Sequence, residues 1–423
     1  MKYKTVAIGM LGLGTVGSGV VKILKAKAAS IKRRTGISLV LKKVCVRSFS
    51  KKRAVSVSRG VLTTNAKSLA RDASIDIFVE LAGGIHPAKE LIREAFYRGK
   101  HVVTANKALL AETGNLLFDL AAKKHRSLGL EASVCGGIPI IRAINGGLAT
   151  DNISNFLGIV NGTCNHILTA MSERGMEFEA ALKEAQAKGY AETNPRLDVD
   201  GVDSAHKLAI LARLAFRSEI LFRSIYIEGI RGLSATDIRY AKELGYVVKL
   251  LAIGKKTNGK LELRVHPTLL PLDHPLASVR GVYNAVFLHA NDAGDLLFYG
   301  RGAGQMPTAT AVMSDILDIA KDIRAGNRSP RGVLEQSVRK EPVLPMGSIR
   351  SKYYLRFQVA DKPGVLGMIA KILGQQHISI MSVHQKESHD AKSVPVVILT
   401  YEDSENEMRT ALKRIDAKRD IAE

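Results

Sequence analysis

In the first hundred residues, short apolar runs of strand length alternate with longer runs whose apolar residues recur at helical spacing. A strand is predicted through Val6, Ala7 and Ile8, followed by a glycine-rich turn and an apolar helical run through Val20 and Val21. Further strands are expected at 39–46, 76–81 and 101–104, with a helix at 87–98. Alternation of this kind predicts an α/β fold built on a doubly wound parallel sheet. Between residues 138 and 302 the pattern changes to longer helices and to strands at 155–160, 247–253 and 261–267, which suits an α+β substrate and assembly domain. A helical run at 308–323 is expected to return to the first domain. The stretch around 326–349 is rich in Pro and Gly and reads as a linker. A third unit then runs strand (353–359), turn, helix (365–373), strand (378–384), strand (394–401), helix (405–415). The expected division is therefore 1–137 together with 303–325, then 138–302, then the linker, then 350–423.

The turn after the first strand reads Gly12-Leu13-Gly14-Thr15-Val16-Gly17. Between a strand and a helix, such glycines let the backbone approach a pyrophosphate held by amides at the helix N-terminus, the Rossmann-type arrangement. The second strand runs into Arg47 and then Lys51, Lys52 and Arg53, where an enzyme selecting NAD would carry a carboxylate for the ribose hydroxyl. Basic residues there suit a 2′-phosphate, so NADP(H) is the expected cofactor, NAD(H) the alternative, and Arg47 the expected contact. Lys51, Lys52 and Arg53 read equally well as a solvated loop. In doubly wound sheets ligands bind at strand ends, which adds Thr104 and Lys107 to the cofactor set. The turn before the returning helix adds Gly304 on the same ground of close backbone approach.

The segment 185–207 carries Glu192, Asp198, Asp200 and Asp203 around a turn that ends at Lys207. Asn194-Pro195 breaks the preceding helical run, Gly201 permits a bend, and a new helical pattern begins beyond it. Asp203 lies four residues before Lys207, one turn below it on a helix, where it favours the charged ammonium. Ile210, Leu211 and Leu214 share the face of Lys207, and the desolvation they impose pushes the other way. An exposed pair of this spacing contributes only about 0.3–0.5 kcal/mol. Acids crowded beside one lysine point instead to a small, cationic, hydroxylated ligand and a proton exchanged through Lys207.

The chain has 423 residues, enough for two or three domains, and 46% of them are hydrophobic. No apolar stretch is long enough to span a bilayer and no signal-peptide cleavage region follows the first strand, so a cytoplasmic protein without a membrane partner is expected. Cys45, Cys135 and Cys164 are widely spaced and predict neither disulfides nor a zinc site. Cys135, in a glycine-rich turn, has the alternative reading of a nucleophile in an acylating dehydrogenase. The net charge of +22 is spread along the chain without a nucleic-acid-binding motif, and attraction of anionic NADP accounts for it more simply than a nucleic-acid partner.

The spaced pattern A-x3-G-Y-A-E-x-N-P-x2-D-V-x-G-x-D-x3-K at 185–207 resembles the signature of the homoserine dehydrogenase family. The resemblance extends to V-E-L-A-G-G at 79–84, T-A-N-K-A-L-L at 104–110, E-A-S-V-C-G-G-I-P at 131–139, N-G-T-C-N at 161–165 and G-R-G-A-G at 300–304. It implies reversible hydride transfer between NADP(H) and the pair homoserine and aspartate 4-semialdehyde, on the route to threonine and methionine. It further implies Lys207 as acid/base, and Glu192, Asp198 and Asp203 as holders of the substrate ammonium and orienters of the lysine. Lys107 is implied beside the nicotinamide and Thr163 in the pocket wall. A sodium ion is implied on Glu131 and the carbonyls of Val134, Gly136 and Ile138. A homodimer or homotetramer is expected. The third unit resembles an ACT domain, a ferredoxin-like βαββαβ module, through D-K-P-G-V-L-G-M-I-A at 361–370, which implies threonine as an allosteric ligand. The second helix lies so near Glu423 that little or no sequence is left for the module's last strand.

Overall fold

The computed structural model describes residues 4–327, 338–385 and 393–421. β1 (Lys4–Leu11), β2 (Ile37–Cys45), β3 (Leu62–Thr63), β4 (Ile77–Glu80), β5 (His101–Thr104) and β6 (Leu128–Gly129) form one sheet in the order β3-β2-β1-β4-β5-β6. Every pairing in it is parallel. This is the doubly wound order, with its switch point between β1 and β4. α1 (Thr15–Thr35), α2 (Ala66–Arg71), α3 (Ala88–Tyr97) and α4 (Lys107–Lys123) make the connections. Gly12 sits at φ +100°, and a Cβ there would stand 2.8 Å from the backbone of Leu81. A Cβ on Gly17 would meet the carbonyl of Gly12 at 2.5 Å, so both positions demand glycine.

A three-residue turn of helix, α5 (Ile140–Arg142), leads into the second unit. Its strands are β7 (Ile153–Ile159), β8 (Tyr226–Ile227), β9 (Tyr246–Thr257), β10 (Lys260–Pro271), β11 (Tyr283–Ala290) and β12 (Gly294–Arg301), in the order β12-β11-β7-β9-β10-β8. Its helices are α6 (Gly162–Arg174), α7 (Phe178–Ala187), α8 (Arg196–Val199), α9 (Val202–Phe216) and α10 (Ala235–Glu243), of which α6, α9 and α10 pack on β9. The period of two along each strand sorts the two faces. Val248, Leu250, Ala252, Val286 and Leu288 point into the core shared with the helices. Leu251, Ile253, Ala285 and Phe287 form a separate cluster on the opposite face, where Leu297 and Tyr299 of the edge strand are exposed.

α11 (Gln305–Ala325) returns as predicted, burying Ala309, Val312, Ile316 and Ala320 against Val6, Ile8 and Val20. The Pro- and Gly-rich stretch is partly anchored: Arg339 bridges Ser218 and Val343 bridges Leu261, and Glu341 pairs with Lys256 at 2.7 Å. The expectation of a plain linker is corrected there, because two short bridges interrupted by Pro342 leave no readable alternation; residues 328–337 of that stretch lie outside the described ones.

In the third unit β13 (Arg350–Ser351) pairs with β17 (Asp403–Ser404), while β14 (Tyr354–Ala360), β16 (Ser393–Thr400) and β15 (Ile380–Gln385) form an antiparallel sheet in the order β14-β16-β15. α12 (Val365–Gln375) and α13 (Glu405–Asp416) share a core with it. At the place of a fourth strand, Ile421 makes one antiparallel bridge to Val359. The unit is tied to the second one through Asp237 of α10, which accepts from Tyr354 Oη at 3.0 Å and Arg356 Nε at 2.7 Å.

Candidate active site

Gly201, at φ +83°, closes the turn between α8 and α9 and delivers Asp203 and Lys207 into the first two turns of α9. Both side chains are buried, Asp203 at 5% and Lys207 at 9% exposure. Lys207 Nζ donates to Asp203 Oδ2 at 2.6 Å and to the carbonyl of Val160, at the end of β7, at 2.7 Å. The second oxygen of Asp203 faces Lys107 Nζ at 2.9 Å, from the first residue of α4 in the dinucleotide-fold unit. One carboxylate thus joins a lysine from each of two domains. Glu112 and His206 at 3.8 Å, and Arg213 over the ring of Phe118 at 4.4 Å, extend the contact between α4 and α9.

Burial pulls the Lys207 ammonium down, but the charge and hydrogen bond of Asp203 outweigh it and hold the group above the ordinary lysine range. Burial likewise raises Asp203, and the two lysines more than reverse it, leaving the carboxyl well below the usual carboxylate range. The pair is therefore ionised at neutral pH. Asp198 is pushed the other way: burial raises it, the amide of Asn161 lowers it, and Asp203 raises it again.

Asn161 Nδ2 donates to Asp198 Oδ1 at 2.7 Å and Asp203 Oδ2 at 2.9 Å, so the acids at 198 and 203 do converge. Thr163, in the first turn of α6, is buried and spends its hydroxyl on the carbonyl of Tyr190 at 2.7 Å. The expected crowd of four acids is corrected in one member: Asp200 turns outward and pairs with Arg231. Two residues on from Asp198, at about 100° per residue, it faces nearly the opposite side. Glu192 is exposed, and among the described residues its carboxylate has no hydrogen-bond or ion-pair partner.

In the dinucleotide-fold unit a cavity of about 700 Å³ is lined by Gly12, Leu13, Gly14, Thr15 and Arg47, together with Lys51, Lys52 and Arg53. Val16 and Gly17 lie behind that wall in α1, and Thr104, Lys107 and Gly304 lie outside it, although Gln305, next to Gly304, is part of it. Arg53 is engaged with the carbonyl of Lys51 at 2.9 Å and shapes its own loop, whereas Arg47 is exposed. Thr104 is buried and donates to Glu80 Oε2 at 2.7 Å. The other oxygen of Glu80 accepts the amides of Ala82 and Gly83 at 2.8 and 2.9 Å, which fixes the β4 turn against the cavity. Asn106 caps α4 and donates to the carbonyl of Gly84 at 2.6 Å, tying the two strand ends together. Sequence reasoning missed Glu80 and Asn161, although a lone acid in the apolar run Ile77-Phe78-Val79-Glu80-Leu81 is a usable signal.

Glu131 is buried, and its carboxylate accepts the amides of Ile141 and Arg142 at 3.0 and 2.8 Å. Burial raises that carboxyl and the two amides oppose it. Among the described residues no three His, Cys, Asp or Glu side chains gather as metal ligands, so a cation there would rest on Glu131 and backbone carbonyls. Cys135 is fully enclosed, burial pushes its thiol up, and its sulfur meets Asn284 Nδ2 at 3.7 Å rather than a histidine. That environment suits an inert thiol, not a nucleophile.

Comparison with known proteins decides the family. A model described as homoserine dehydrogenase matches residues 139–317, one described as the homoserine dehydrogenase NAD binding domain matches 12–131, and an ACT domain model matches 353–417. The homoserine dehydrogenase of Neisseria gonorrhoeae is 45% identical, covering 98% of this chain and 96% of its own. The chain belongs to the homoserine dehydrogenase family. It shares 41% identity with the Pseudomonas aeruginosa enzyme over 98% of this chain and 96% of that one. A crystal structure of a homoserine dehydrogenase from Thiobacillus denitrificans superposes with a TM-score of 0.94 at 42% identity, covering 100% of this chain and 97% of the other. A hyperthermophilic archaeal homoserine dehydrogenase in complex with NADPH gives a TM-score of 0.64 at 28% identity, over 74% of this chain and 97% of that one. The activity is therefore that of an oxidoreductase on the CH–OH group of homoserine, interconverting it with aspartate 4-semialdehyde by means of a nicotinamide dinucleotide. The expected Rossmann-type sheet and ACT module are present, and the expected α+β unit between them is built on a mixed sheet. Among the described residues no helix is long and apolar enough to cross a membrane.

Proposed function

We propose that Lys207 carries the proton of this reaction and that Asp203 orients it, with Lys107 at the junction of substrate and nicotinamide. The observation that supports this most directly is the Asp203 carboxylate shared between Lys207 and Lys107 at 2.6 and 2.9 Å. A charged, buried ammonium is poised to give its proton to the aldehyde oxygen in the reducing direction. The nicotinamide, when bound, supplies hydride to the carbonyl carbon, or takes it from homoserine in reverse. Asp198, Glu192 and Thr163 form the substrate side, the two carboxylates for its ammonium group. Burial of Asp203 and Lys207 keeps bulk water from that pair.

NADP(H) is the preferred cofactor, supported by Arg47 in the cavity wall and the absence of an acid from that wall. Arg47→Ala is expected to weaken NADPH at least tenfold while leaving NADH within about twofold, measured by fluorescence titration of both. Equal losses remove the assignment. Glu131 and the carbonyls of Val134, Gly136 and Ile138 fit a hard monovalent cation such as sodium: the buried carboxylate accepts two backbone amides, and the Arg142 guanidinium stands off at 3.8 Å. The apolar face carrying Leu297 and Tyr299 on the second sheet supports a second copy of the chain as partner, in a homodimer or homotetramer. A cytoplasmic location and threonine as effector of the ACT module belong to the same proposal. Following NADPH absorbance with aspartate 4-semialdehyde tests both readings: consumption is expected, slowed by millimolar threonine. No consumption sinks the catalytic reading, and consumption indifferent to threonine sinks the regulatory one.

A further inference from the structure

The side chain of Asn161 has no part in the reading above, yet it touches both the buried Asp203 and the half-buried Asp198. It stands between β7 and α6 at 5% exposure. Its Oδ1 accepts the amide of Cys164 at 2.8 Å and caps α6. Its Nδ2 carries two hydrogens, and the two carboxylates, Asp198 at 2.7 Å and Asp203 at 2.9 Å, take them. The orientation is forced: the Cys164 amide can only donate and an ionised carboxylate only accept, so the oxygen faces the helix and the nitrogen the acids. A cap requires only the oxygen, which Ser, Thr or Asp would provide equally well. The amide nitrogen therefore has a task that capping does not explain.

We propose that Asn161 is a positioning residue that clamps Asp198 and Asp203 as a pair, keeping Asp198 ionised with its second oxygen open to the substrate ammonium while Asp203 stays aimed at both lysines. The inference rests on the catalytic reading given above. Two carboxylates sharing one nitrogen lie close enough to repel, and a neutral double donor between them lets both stay charged without a third ion in the site. The charged and titratable groups facing Asp198 are Asp203 and Lys207 on α9, Lys107 on α4 and Cys164 on α6, whereas Asp200, on its own turn, points away to Arg231. Of these only the two lysines favour the ionised form, and Asp203 already accepts from both. Without the amide, only the two lysines, both already engaged by Asp203, oppose burial and the repulsion of Asp203, and the Asp198 carboxyl rises further.

Asn161→Thr and Asn161→Asp both retain a capping oxygen and remove the two-hydrogen amide donor: a Thr hydroxyl has a single hydrogen and cannot clamp both acids, and an ionised Asp has none and adds a like charge. In the full-length enzyme, kcat and KM for aspartate 4-semialdehyde are to be measured from pH 5 to 10, with thermal midpoints alongside. The expected result is a KM raised about tenfold, a smaller fall in kcat, and an acid limb of kcat/KM displaced upward by about one pH unit, more in Asn161→Asp. Capped variants with unchanged KM and an unmoved acid limb overturn the proposal. So does a loss confined to Asn161→Ala that tracks a lowered thermal midpoint, which is what a cap alone predicts. If Asn161→Asp fails to fold, Asn161→Thr decides the matter by the same criteria. An Asn161 result is read against Lys207→Ala: full turnover there ends the catalytic reading, whereas an inactive Lys207→Ala with unmoved Asn161 variants ends this inference alone.

Discussion

Replacement of Lys207 by Ala is expected to lower kcat by roughly 10²–10⁴-fold, the contribution of a positioned acid/base, while NADPH affinity is nearly kept. The geometry dictates the split. Lys207 hydrogen-bonds Asp203 and the Val160 carbonyl, and it is absent from the wall of the dinucleotide cavity, so the loss falls on the chemical step. Asp203 keeps Lys107 as a counter-charge in the variant, so a folded protein is expected. The substitution leaves a buried space beside a carboxylate, and millimolar methylamine is expected to restore part of the lost rate by carrying the same proton. Steady-state absorbance of NADPH and a fluorescence titration check both halves. A variant that loses NADPH binding instead, or keeps its rate, refutes the assignment.

The parts of this enzyme readable from the chain are those carried by local spacing. Gly12 and Gly17 are legible because backbone contact at 2.8 and 2.5 Å excludes any side chain. The Asp203–Lys207 contact is legible because four residues is one helical turn. The strands at 76–81 and 101–104 are legible because a strand buried on both faces reads as a short apolar run. What escaped depends on contacts between remote positions. Asn161 and Asp203 are 42 positions apart, and a capping residue gives no sign that its other end reaches an acid. Asp200 was grouped with the active acids on sequence proximity, but Arg231, 31 positions on, claims it at the surface. Glu80 holds two amides and the hydroxyl of Thr104 with no local pattern beyond its own misplaced charge. The pairing of Arg339 and Val343 with the second unit rests on single bridges, to Ser218 and to Leu261, which hydrophobic periodicity cannot register.

Asp203→Asn is expected to be the most damaging isosteric change to stability, costing about 3–5 kcal/mol at neutral pH, because removing one member of a buried ion pair leaves the other uncompensated. Two ammonium groups depend on that carboxylate, and the one on Lys207 is buried. The pH dependence follows from the direction of each shift. In the unaltered enzyme Asp203 sits below its unfolded value, so its stabilisation is complete above about pH 4 and is lost as pH falls. Lys207 sits above its unfolded value, so its share is complete below about pH 10 and is lost as pH rises through the folded value. In the variant burial acts on Lys207 without Asp203 to oppose it, the folded value drops below the unfolded one, and stability climbs with pH in that interval. The gap between the two proteins is therefore widest between about pH 5 and 9 and narrows at both extremes. Urea midpoints at pH 3, 5, 7 and 9.5 measure it. A gap under 1 kcal/mol, or one that does not change with pH, means that the carboxylate does not hold two charged lysines, and with it falls the argument that Lys207 rests protonated in the site.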